Sequence, residues 1–146
     1  MHGIRLSRLI AEGVNHGTVA RRAAEVLPAA AVVVFSDAVG FDGGWLDTLF
    51  RAAGVAVTVR LVDVQQAYGL ACRPLLSLLP PPGSAVRRQS EERVKLMARQ
   101  IVADAEAAED VRPGMHHRAL PDAERLWRTW RAIGVAVANH SAEDLR

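Results

Sequence analysis

At 146 residues the chain is long enough to bury a core, and with half its residues hydrophobic it reads as one globular domain rather than a disordered segment. A net charge of +2 admits a nucleic-acid partner without requiring one. Lys95 is the single lysine among 18 basic residues, so the arginines reflect compositional bias and none is diagnostic alone. One cysteine, Cys72, excludes an internal disulfide and a cysteine-based zinc cluster, and reads as a small apolar core residue. The longest apolar run, Ala29 to Phe35, is too short to cross a bilayer. Met1 to Asn15 is interrupted by Arg5, Arg8 and Glu12 and lacks the apolar centre of a signal peptide. A cytoplasmic protein with no membrane partner is the expectation.

In chain order, Leu6 to Leu27 alternates charged and apolar residues at helical spacing, with Asn15-His16-Gly17-Thr18 breaking the run. Thr18 is the expected N-cap of a helix through Val19, Ala23, Val26 and Leu27, stopped by Pro28. Ala31 to Phe35 is a continuous β-branched run ending in Ser36-Asp37, a pattern that suits a strand covered on both faces of a parallel sheet. Asp42 opens a helix of about a dozen residues with Trp45, Leu46, Leu49, Phe50 and Ala53 on one face. Gly54 is its natural stop. Val55 to Val64 alternates as a second strand, which makes a βαβ unit with a right-handed crossover.

Beyond it, Arg73 to Leu79 is a short apolar segment, helical or a buried loop, and Pro80 to Ser84 is a stiff connector inside one domain. Ser90 is expected to cap a long helix with Glu91 and Glu92 in its first turn and a buried stripe of Val94, Met97, Ala98, Ile101 and Ala105. The last helix starts near Pro121, with Ala123, Leu126, Trp127, Trp130 and Ile133 facing the core and Gly134 ending or loosening it. The expected organisation is one domain over residues 1–138 followed by a tail over 139–146.

Three residues have types and settings suited to chemistry. Hydrolysis of a phosphodiester by two metal ions needs carboxylates that hold cations about 4 Å apart. It also needs a base near neutrality, which histidine supplies. Asp42, just after a strand, can point into the crevice at the sheet's carboxyl edge; as an N-cap it would simply stabilise its helix. His117, on a loop after Pro113-Gly114, can converge with Asp122 in the first helical turns. Read singly, His117 is a solvated loop residue and Asp122 an acid that complements the helix dipole. Arg118, Arg125 and Arg128 read as solvent-facing helix charge before phosphate contacts.

Taken in order, Phe41-Asp42 with Trp45-Leu46, a strand into Val62-Asp63-Val64, then His117-Arg118-Ala119-Leu120-Pro121-Asp122-Ala123 resembles the DEDDh family of 3′–5′ exonucleases. The proofreading subunits of bacterial replicative polymerases, oligoribonuclease and ribonuclease T belong to that family. The resemblance implies an α/β, ribonuclease H-like exonuclease fold, with helices around a small, mostly parallel sheet. It implies nucleic-acid 3′ ends, DNA or RNA, as partners and two Mg²⁺ or Mn²⁺ ions as cofactors. Asp42 matches the acid that supports a metal through water, Asp122 a metal ligand and His117 the general base. Phe41 and Trp45 would line the nucleotide crevice, and His2-Gly3-Ile4 resembles the segment beside the terminal nucleotide.

The family's first motif, Asp-x-Glu on the opening strand, has no counterpart: Asp104-Ala105-Glu106 and Asp122-Ala123-Glu124 both fall on expected helices. A chain truncated at its N-terminus, with the opening strands missing, is therefore expected. It would be weakly active or inactive alone, and an unpaired sheet edge would be open to self-association or a partner. A degenerate exonuclease-like module that binds nucleic acid or protein without catalysis is the alternative.

Overall fold

The computed structural model describes residues 5–27, 33–111 and 119–143. The described residues are mostly helical with one small parallel sheet, an α/β arrangement at the coarse level. They fall into two compact units, residues 1–64 and 65–146. No helix among the described residues is long and apolar enough to cross a membrane.

The first unit begins with α1 (Leu6–Glu12) and α2 (His16–Val26). Asn15, not Thr18, caps α2: its side-chain oxygen accepts the Gly17 N–H at 2.9 Å, so the helix starts three residues earlier than the sequence suggested. Asparagine and threonine both serve as caps, and asparagine ranks higher. Pro28 lies outside the described residues, as do residues 31 and 32 of the expected first strand. The strand β1 is observed over Val34–Ser36, followed by α3 (Val39–Ala52) and β2 (Leu61–Asp63). The two strands are parallel, with Val34 opposite Leu61 and Ser36 opposite Asp63. The βαβ unit read from the sequence is thus present, and α3 packs on both strands and on α2.

Helix α3 ends as its sequence dictates. Gly54 adopts φ +64°, a left-handed conformation, and the N–H groups of Gly54 and Val55 return to the carbonyls of Arg51 and Phe50. That is a Schellman close, which satisfies two carbonyls the helix leaves unpaired. From Val55 to Leu61 burial alternates residue by residue, with Val55, Val57, Val59 and Leu61 half-buried. The period of two is therefore real although the ladder covers only Leu61–Asp63.

The second unit is helical. It contains α4 (Val64–Ala71, entering from the preceding unit), a 3₁₀ segment (Arg73–Leu78), α5 (Arg87–Asp110) and α6 (Ala119–Glu143). Helix α4 was not anticipated; it contributes Tyr68 to the core, while Cys72 and Leu75 follow it. Burial pushes the Cys72 thiol above its usual range, as expected for a small core residue in apolar surroundings. Ile101 and Ala105 of α5 and Thr129, Ile133 and Val137 of α6 complete the core, with Val94, Met97 and Ala98 half-buried on the expected stripe.

Several boundaries differ from the sequence reading. Ser90 lies inside α5, bonding back to the Val86 carbonyl at 3.1 Å, because the turn over Pro81–Ser84 lets the helix start at Arg87. Arg87 ties that start down through Glu91 at 2.9 Å and the Pro80 carbonyl at 2.5 Å. Gly134 does not end α6, which continues to Glu143 through residues expected as tail. One glycine weakens a helix interior by about 1 kcal/mol, which the buried Ile133 and Val137 on either side outweigh. Ala123, Trp127 and Trp130 are exposed, so the core face of α6 is centred on Thr129, Ile133 and Val137 instead.

Candidate functional site

The end of β1 turns into α3 through a hub at Ser36. Its hydroxyl accepts the Ala38 N–H at 2.9 Å and donates to an Asp42 carboxylate oxygen at 2.5 Å. Ser36 is buried, so these two bonds fix where the first turn of α3 sits relative to the sheet. Ala38 is the N-cap and makes no side-chain cap bond. Asp42 is therefore not the cap but an exposed first-turn acid, oriented by Ser36 and favoured there by the helix dipole. Ser36 stands three positions before α3 and six before Asp42, a spacing that does not announce the hub by itself.

Parallel pairing puts Asp63, at the end of β2, directly across from Ser36, so Asp37, Asp42 and Asp63 all belong to the carboxyl edge of the sheet. That edge is where ligand crevices form in parallel α/β structures. Among the described residues, however, no group of three or more histidines, cysteines or acids is arranged to hold a metal ion.

Phe41 and Trp45 flank Asp42 on α3. They were expected to line a crevice, with Trp45 on the core face. Trp45 is instead 73% exposed and Phe41 77% exposed, and their four-residue spacing places them side by side. The core face of α3 belongs to Phe50, with Gly43, Leu46 and Leu49 half-buried. A small groove runs behind them, lined by Gly43, Leu46, Asp47, Phe50, Val57, Thr58 and Val59. Its one charged residue, Asp47, is ion-paired with Arg51.

Asp122 sits half-buried in the first turn of α6, in the 65–146 unit. His117, His2, Gly3 and Ile4 lie outside the described residues. The structure thus brings Phe41, Asp42 and Trp45 together on one helical turn. Two of the arginines considered for phosphate contacts serve another purpose. Arg128 pairs with buried Glu109 of α5 at 2.9 Å, and Arg125 lies 3.9 Å from Asp110, so both join α6 to α5.

The chain matches no protein-family model, no curated protein and no solved structure.

Proposed function

We propose that the chain is a 3′–5′ exonuclease-type module that receives a nucleic-acid 3′ end at the first turns of α3, on a ribonuclease H-like scaffold. The observation that carries this reading is the exposed Phe41–Trp45 pair flanking an oriented carboxylate at the sheet's carboxyl edge. Two neighbouring aromatic faces offer a stacking platform that tolerates any base, worth about 1–3 kcal/mol per base. Asp42 has the hard oxygen donors that Mg²⁺ or Mn²⁺ prefers. Such an ion, held with help from Asp42, would polarise the scissile phosphate. His117, the base the resemblance implies, would accept a proton as water oxygen bonds to phosphorus and the phosphorus–O3′ bond breaks; the departing O3′ would take a proton from solvent, and a nucleotide would be released. Hydrolysis by this chain would be weak or absent, since no strand-borne Asp-x-Glu pair is present in its sequence.

Binding without cleavage is the second reading. It is favoured by the Ser36–Asp42 bond, which commits one carboxylate oxygen of Asp42 to holding the fold. Anisotropy of a fluorescent single-stranded oligonucleotide separates the possibilities. Binding should weaken with salt and fall roughly tenfold in Trp45→Ala. A nuclease assay with Mg²⁺ and Mn²⁺ then divides the two readings: slow degradation abolished by Asp42→Asn supports hydrolysis. Degradation that survives Asp42→Asn removes Asp42 from the mechanism. No binding at low salt, or binding indifferent to Phe41→Ala and Trp45→Ala, overturns both readings.

A further inference from the structure

Helix α6 carries two working faces. Thr129, Ile133 and Val137 are buried in the unit core. A second face carries Leu120, Glu124, Trp127, Arg131 and Val135, which at 3.6 residues per turn fall within an arc of about 80°. Leu120, Trp127 and Val135 are 69%, 54% and 59% exposed, and Glu124 and Arg131 are exposed with them. Single exposed apolar residues need no explanation, whereas a stripe running about 22 Å along one helix marks a contact surface.

The order of residues in this stripe says what covers it. A two-fold axis passing between positions 127 and 128 of an antiparallel helix pair sets Leu120 opposite the second copy's Val135. The same axis sets Glu124 opposite the second copy's Arg131. The two Trp127 side chains flank the axis, and symmetry makes each of the other contacts twice. Arg131 already lies over its own Trp127 ring, 5.0 Å from the centroid, which holds its charge at this face. A parallel pair would instead bring like charges together, Glu124 on Glu124 and Arg131 on Arg131, which disfavours that arrangement. We propose that α6 pairs antiparallel with α6 of a second copy of this chain, centred on Trp127, with Glu124–Arg131 ion pairs on both sides. A central aromatic cluster with a charged surround is the usual layout of a binding hot spot. The contact spans about 16 residues of each helix, a small interface, so dissociation in roughly the micromolar range is expected.

Sedimentation equilibrium on the full chain tests this, with circular dichroism checking the helicity of each variant. A monomer–dimer equilibrium should appear, weakened at least tenfold by Glu124→Arg or Arg131→Glu alone and restored when both reversals are combined. A chain that stays monomeric at every concentration overturns the proposal. So does a dimer indifferent to the single reversals, or a double reversal that fails to recover. A second measurement stands if a charge variant fails to fold: in a Cys72→Ala background, Leu120→Cys and Val135→Cys chains are mixed and oxidised. A disulfide dimer should form in the mixture and not in Leu120→Cys alone. A disulfide in Leu120→Cys alone, or none in the mixture, refutes the antiparallel register.

Discussion

Residues 65–146 keep Tyr68, Leu75, Thr129, Ile133 and Val137 almost wholly out of solvent, whereas among the described residues of 1–64 only Ala20, Ser36, Phe50 and Val64 are buried. The first unit is held in shape by short-range hydrogen bonds: the Asn15 cap, the Ser36 hub and the close at Gly54. The second is held by side-chain packing between two long helices and the 3₁₀ segment. The surface proposed to receive a ligand lies on the sparsely packed unit, and the helix proposed to pair with a second copy lies on the densely packed one. Parts of a protein with few buried apolar contacts open most readily, and ligand-handling segments are commonly drawn from them.

The strongest test of this contrast is Ile133→Ala. Removing a fully buried side chain of that size should cost about 2–5 kcal/mol in urea unfolding, because α5 and the 3₁₀ segment cannot collapse far into the space. A loss below about 1 kcal/mol would remove packing as what distinguishes the second unit. Ser36→Ala comes next. It deletes both bonds of the hub and should cost about 1–2 kcal/mol, with hydrogen exchange accelerating in the first turns of α3 and unchanged in α5 and α6. Exchange that accelerates equally in both units would erase the distinction. The smallest effect is a gain. An added Cβ at Gly44 meets nothing within 4 Å, so Gly44→Ala should stabilise the chain by about 0.5–1 kcal/mol, read as a higher urea midpoint. No gain would show that α3 is limited by something other than its own helix propensity.

The elements that the sequence made legible were those governed by local rules. Val55 to Leu61 alternates in burial as its residues alternate, Gly54 stops α3, and the Ile101–Ala105 stripe of α5 is buried. The misreadings arose where distant packing or a competing local bond decided the outcome. Trp45, Trp127 and Trp130 were assigned to cores by size and spacing, yet smaller residues on the same helices fill those cores: Phe50 in α3, and Thr129, Ile133 and Val137 in α6. Ser90 resembled a cap, but a serine can equally return its hydroxyl to the carbonyl four residues back, as it does here. Of the candidate site, Asp42 was visible as an acid at a strand-to-helix turn. Its orientation depends on Ser36, whose role follows from burial at the strand end that no spacing rule reports.

The connector Pro80-Pro81-Pro82-Gly83-Ser84 has a consequence outside the folded contacts. Gly83 turns at φ +86°, and Arg87 reaches back to the Pro80 carbonyl, so the native path is short and defined. Three successive prolines fix their φ angles in the denatured chain as well, which removes conformations that folding would otherwise have to give up. At about 0.4–1 kcal/mol for each proline that fits its native conformation, this segment stabilises the unit by impoverishing the ensemble it unfolds into.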